Sequence, residues 1–299
     1  MTRSIAIIGA PSSAGAYSPG QEDGPQAMRD AGLRAGLEAR GFAVADQGDA
    51  PRWRWRPDHE RLRAMNVPAV VANVRATAQH VAHAAGEGHL PLVLGGDCTT
   101  GLGTVLGLRA SLPGLRLVYL DAHPDLNTPE SVPDGALDWM GVAHLLGIEG
   151  TLPELAGLAG GSPLLAARDL VLLANSPSRT TAHEATVIAE RQIANIPQER
   201  VAADPAGAAR EALAHVGDRP FLVHLDTDVV DFADLPLAEN TDRNVGLPFE
   251  TVARALDVLL AGEGVSALTI TELNPHHGAS DGATVRRFVD RLVSSFAFA

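Results

Sequence analysis

Leu115-Arg116-Leu117-Val118-Tyr119-Leu120-Asp121-Ala122-His123-Pro124-Asp125 is an apolar run of strand character that ends abruptly in three ionisable side chains. A carboxylate left at the end of a buried strand is costly unless something positive neutralises it. The stretch Pro220-Phe221-Leu222-Val223-His224-Leu225-Asp226-Thr227-Asp228 repeats the arrangement, and Gly95-Gly96-Asp97-Cys98 closes a third apolar run. A lone Asp at a strand end is ordinarily a turn former or a helix cap. Here the spacing argues otherwise, because positions i, i+2 and i+4 of a strand share one side. Asp121, His123 and Asp125 therefore converge, as do Asp226 and Asp228. Convergent carboxylates repel unless a cation sits among them. Carboxylate with imidazole suits a hard or borderline divalent ion, manganese first among them.

Outward from this run, short apolar segments alternate with longer helical patterns. Strands are predicted near 4–9, 42–47, 91–95, 115–120, 169–174, 191–196, 221–226 and 266–272. Helical spacing appears in Val67, Val70, Val71 and Val74, and again in Val285, Phe288, Val289, Leu292, Val293 and Phe296. Strands apolar on both faces and alternating with helices imply parallel βαβ units. The predicted fold is one α/β domain over 1–299, a three-layer α/β/α sandwich on a mostly parallel eight-stranded sheet. In such sheets sites form in the crevice beyond the carboxyl ends of strands. The Gly-, Pro- and Ser-rich stretches 11–24 and 127–139 are expected to rim it.

The 299 residues carry a formal charge of −13, which argues against a nucleic-acid or anionic-membrane partner. The single cysteine excludes an internal disulfide framework. No apolar stretch reaches the ~20 residues needed to span a bilayer, and no signal peptide is evident. A cytoplasmic setting is expected.

The ordered set of motifs resembles the ureohydrolase family of arginases, agmatinases and formiminoglutamases. Gly95-Gly96-Asp97-Cys98 is similar to its G-G-D-H signature, and Asp121 to Pro129 to D-A-H-x-D-x-N-T-P. Asp226-Thr227-Asp228 matches D-x-D, and Glu272-Leu273-Asn274-Pro275 resembles E-x-N-P. The resemblance implies an eight-stranded α/β/α fold, an oligomer (trimer or hexamer) and two manganese ions. It places Cys98, Asp121, His123, Asp125, Asp226 and Asp228 as metal ligands. It also implies hydrolysis of a linear C–N bond in a guanidino or formimino substrate by metal-activated hydroxide. Asp125 would take the proton and Glu272 would grip the guanidinium.

The chain departs from that pattern in three places: at Cys98, at 134–138, and after the fifth strand, where Asn175-Ser176-Pro177-Ser178-Arg179 replaces the family's R-D-x-D segment and Arg179 could bind an anionic substrate group. Cys98 stands where the family has His, and a softer thiolate would let zinc or iron compete with manganese; a buried apolar cysteine is the plain alternative. Arginases follow N-T-P with S-G-N-L-H, whereas this chain has Asp134-Gly135-Ala136-Leu137-Asp138. Asp134 would set a negative charge where arginine's carboxylate lies, so arginine itself is a doubtful substrate. Asn127, Asp134, Glu272 and Arg179 are the expected substrate contacts, with a surface position the alternative for Arg179. Asp138 replaces the proton-shuttle His by position, with His144 nearby and a helix-capping role for Asp138 as the alternative. His80, His83, His276 and His277 are not assigned to metal. A catalytically silent relative that binds metal or ligand is the rival to a hydrolase.

Overall fold

Eight strands assemble in the computed structural model, which describes residues 4–160 and 163–296. They are β1 (Ser4–Ala10), β2 (Ala43–Asp49), β3 (Leu90–Gly95), β4 (Arg116–Leu120), β5 (Leu170–Asn175), β6 (Ala194–Pro197), β7 (Phe221–Asp226) and β8 (Val265–Thr271). They form one sheet in the order β2-β1-β3-β8-β7-β4-β5-β6, and every pair is parallel. Each predicted strand is present. The sixth begins later than predicted, because the preceding helix runs to Arg191 and Gln192 turns into the left-handed region at φ 53°.

Parallel strands need covering on both faces, and the sequence supplies two apolar helix sets. One face carries α1 (Gly24–Asp30) and α2 (Leu33–Ala39). The other carries α3 (Val67–Gly86), α4 (Thr100–Arg109), α5 (Gly141–Leu146), α6 (Pro153–Ala156) and α7 (Ala182–Arg191). The first face is completed by α8 (Gln198–Ala203), α9 (Pro205–Val216), α10 (Phe249–Leu260) and α11 (Ala283–Ser295). Met28, Leu37, Ala208, Leu256 and Phe288 anchor the first layer; Val70, Leu102, Leu145 and Val187 anchor the second. No helix among the described residues is long and apolar enough to cross a membrane.

The topology positions the site. After β3 the chain crosses to β4 and leaves a gap that β7 and β8 later fill, so β3, β8, β7 and β4 lie side by side at the centre. Their carboxyl ends carry Cys98, Glu272, Asp226 with Asp228, and Asp121 to Asp125. Gly96 is required here: a Cβ on it would lie 1.9 Å from the Ser12 carbonyl oxygen. Without one, Asp97 N–H donates to that oxygen at 2.8 Å and locks the loop after β1 against the loop after β3.

Candidate metal centre

Asp121 caps β4 and is buried; its Oδ1 accepts the His123 backbone N–H at 2.6 Å, while Oδ2 is buried with no partner among the described residues. His123 sets Nδ1 3.0 Å from Asp228 Oδ2 and 3.6 Å from Asp121 Oδ1. Asp228 Oδ1 is likewise buried and unpartnered. Asp226 Oδ1 accepts the Asp228 N–H at 2.7 Å, and its Oδ2 accepts the Cys98 thiol at 2.9 Å. Asp125 accepts the Tyr119 hydroxyl. Two like charges about 4 Å apart repel by about 4 kcal/mol at an effective dielectric of 20. The donor atoms of Asp121, His123 and Asp228 all lie within 4.8 Å of one another, as do those of Cys98, Asp226 and Glu272, and of Cys98, Asp121 and His224. The orphaned oxygens and the mixed donor set fit divalent cations.

The electrostatics carry the same message. Burial raises the carboxyls of Asp125, Asp226 and Glu272 well above their usual range, and it lifts Asp121 to about 6 with Asp228's charge adding to it. Burial alone would lower His123, but the carboxylates of Asp228 and Asp121 overcome it and push the imidazole well up. Burial, followed by Asp226 and Glu272, raises the Cys98 thiol.

Backbone conformation is part of the design. Asp125 and Glu272 both adopt positive φ, 50° and 62°, which costs roughly 1–3 kcal/mol per residue and persists only where the surroundings over-determine it. Glu272 N–H donates to Gly96 O at 2.7 Å, and its own carbonyl accepts from Glu239 N–H at 2.9 Å. Asp125 O accepts from Ala143 N–H at 3.0 Å. Glu272 Oε1 accepts the Cys98 N–H at 2.8 Å and Oε2 accepts Gln21 Nε2 at 3.2 Å.

Above this floor lies a cavity of about 320 Å³. Asp134, Asp138, Glu239, Tyr17, Trp139 and Asn240 complete its walls, and among the described residues no Lys or Arg lines it. Asp138 accepts the neighbouring Trp139 N–H at 2.9 Å, and burial with the charge of Asp97 raises its carboxyl well above the usual range. It does not cap α5, whose N-terminus has no side-chain cap. A larger recess of about 560 Å³ lies beside the amino ends of β4 and β5, where Asp169 stands among mainly apolar residues and no ligand set converges.

Two of the expected substrate contacts are turned elsewhere. Asn127 is buried outside the cavity lining; its amide oxygen accepts the hydroxyls of Ser131 and Thr181, each at 3.0 Å, and ties the 127–131 loop to the start of α7. Arg179 is neither a surface residue nor a cavity residue. Its largely buried guanidinium stands 3.6 Å from Asp228 and 3.5 Å from Asp242. His144 is structural: Nδ1 meets Met140 O at 2.6 Å, Nε2 accepts Leu152 N–H at 3.2 Å, and burial lowers its pKa to about 4. His276 pairs with Asp23 and His277 with the Ala238 carbonyl, away from the ligand cluster.

The family model for the arginase family matches residues 3–297. The chain belongs to the arginase family. The arginase of Bacillus caldovelox is 31% identical over 278 residues, 91% of each sequence. A solved structure of arginase from that organism superposes with a TM-score of 0.89 at 28% identity, covering 100% of this chain and 99% of the other. A formiminoglutamase structure from Trypanosoma cruzi shares the fold at 18% identity, with a TM-score of 0.74 over 99% of this chain and 94% of the other.

Within this arginase-family scaffold, sequence reasoning missed His224, Tyr119 and Glu239. Tyr119 and His224 are direct register partners on β4 and β7, and their rings stack with centroids 4.3 Å apart. The signal for His224 was available, since positions 224 and 226 share one side of β7, with Asp228 following in the turn after it. Glu239 sits in a loop and leaves no periodic signature.

Proposed function

We propose that the chain is a binuclear metal-dependent hydrolase cleaving a linear carbon–nitrogen bond of a guanidino or formimino compound. The supporting observation is that Cys98, His123, Asp125, Asp226 and Asp228 line one cavity beside Glu272, with Asp121 grouped with His123 and Asp228 just beneath it. These six side chains would hold the ions, manganese in the first instance and zinc or iron as the thiolate allows. Bound there, two divalent cations supply an acidified water as the nucleophile.

The chain's own groups do the rest. Glu272 meets the guanidinium with two near-parallel N–H···O bonds, which set its carbon over the floor. The backbone bonds that hold Glu272 at positive φ keep that carboxylate aimed. Asp125 takes the proton released during attack. Asp138, whose raised carboxyl retains a proton, stands on the cavity wall to deliver it to the departing amine.

The walls bear on the substrate's other end. Asp134 and Glu239 put carboxylates on the walls and, among the described residues, no Lys or Arg lines the cavity, so a carboxylate tail would meet repulsion there without a cationic side chain on the walls to pair with. The reading is a substrate with a neutral or cationic tail, with arginine disfavoured. Family membership supports one catalytic domain over 1–299, a homo-oligomer (trimer or hexamer) and a cytoplasmic setting. The test is a guanidine and formimino panel with stripped protein reloaded with manganese, zinc or iron(II), alongside Glu272→Ala. Release of urea, ammonia or amine that is lost in Glu272→Ala supports the reading. No turnover, with ligand binding unaffected by Glu272→Ala, would leave a silent metal-binding relative.

A further inference from the structure

His224 is fully buried inside the sheet, where a strand residue facing α4 would ordinarily be aliphatic. Among the described residues its Nδ1 has no partner, and it lies against Gly101; a Cβ at that glycine would come within 2.9 Å of the nitrogen. Either neutral tautomer leaves Nδ1 unsatisfied, so burial costs free energy whichever nitrogen carries the proton. An exception of this kind demands a reason, and only Nε2 can supply one. That nitrogen lies 3.4 Å from Cys98 Sγ and 3.0 Å from Thr271 Oγ1. The stacked Tyr119 ring fixes the imidazole plane, and Gly101 makes the room it needs.

We propose that Cys98 Sγ, His224 Nε2 and Asp121 form a thiolate–imidazole–carboxylate site for a borderline cation, zinc or iron(II), making the centre chemically asymmetric. This rests on the metal-centre reading above. The donor atoms of the three residues lie within 4.8 Å of one another. Asp121 also belongs to the cluster with His123 and Asp228, so it joins two unlike positions. One position is offered sulfur and nitrogen; the other is offered carboxylate oxygens and a single imidazole. Softer donors select zinc and iron over manganese, while oxygen donors suit manganese. The orphaned Asp121 oxygen supplies an acceptor free for metal, and Thr271 releases the imidazole when the ion binds. The thiol proton now given to Asp226 leaves to solvent as the metal–sulfur bond forms.

The experiment is X-ray absorption on the full-length protein, stripped with chelator and given one equivalent of zinc. The site requires sulfur scattering at about 2.3 Å together with imidazole nitrogen at about 2.0–2.1 Å. His224→Gln should remove one imidazole shell and weaken zinc binding by more than the roughly 10–100-fold that supporting residues command, with manganese binding nearly unchanged. Cys98→Ser should abolish the sulfur shell. The wild-type spectrum decides the sulfur question even if either variant fails to fold. Zinc bound by oxygen and nitrogen alone, insensitive to both substitutions, would overturn the proposal and leave the binuclear reading intact. Failure of zinc and manganese alike to bind wild-type protein would overturn both.

Discussion

The floor and the walls of the cavity are both rich in carboxylates, yet only the floor leaves them unsatisfied. On the walls, Asp134 accepts the Ala136 N–H, Asp138 the Trp139 N–H, and Glu239 the side chains of Ser18 and Asn274. On the floor, Asp121 and Asp228 each keep a buried oxygen with no partner, although both are held by the bonds their other atoms make. Acidic residues in number do not mark a metal centre. Buried carboxylate oxygens left open beside other ligand atoms do.

The comparison breaks most sharply if floor and wall substitutions behave alike. Asp121→Ala should abolish the metal-dependent part of the stability. A cation at 1,000 times its Kd adds about 4 kcal/mol to wild-type protein, and calorimetry of the variant should register little of that gain. Glu272→Gln keeps the acceptor for Cys98 N–H but loses the charge-assisted pair; kcat/KM should fall about 10- to 100-fold while metal content, measured by elemental analysis, stays the same.

Protons sharpen the contrast further. Asp121 titrates near 6 in the folded chain against 3.8 as an ordinary Asp, so the cation-free folded state holds more protons than the unfolded state between those values. Stability of the stripped protein should therefore fall as pH rises from 4 to 6, and Asp125 and Asp226, also raised by burial, contribute in the same direction. Urea melts with added divalent cation should show the opposite slope, because the ion displaces those protons. The smallest effect is expected from the wall. Asp134 is exposed, and Asp134→Asn should ease entry of substrates with an anionic tail by about 0.2–1 kcal/mol, seen as a drop in KM of at most about fivefold.

How far the sequence revealed these regions follows from their physics. All eight strands were readable, because buried parallel strands are apolar on both faces. The strand period expected of Asp121, His123 and Asp125 does not hold, since β4 ends at Leu120 and Asp125 turns to φ 50°; the loop beyond the strand places them instead. Conformation was not readable: nothing in Leu273-Asn274-Pro275 announces that Glu272 takes φ 62°, a demand set by Gly96 and Glu239 from distant loops. Asn127 and Arg179 were assigned to substrate from their place in motifs, whereas contacts with Thr181 on one side and Asp242 on the other decide where they point. His224 was visible as a letter on β7 but not as a neighbour of Cys98, because that contact joins residues 126 positions apart.

The most direct test is elemental analysis of protein stripped with chelator, reloaded with manganese and zinc together, and desalted. The account predicts two divalent ions per chain and a raised melting temperature, both lost in Asp121→Ala. A chain that retains no divalent ion, with melting unchanged by either metal, would contradict it.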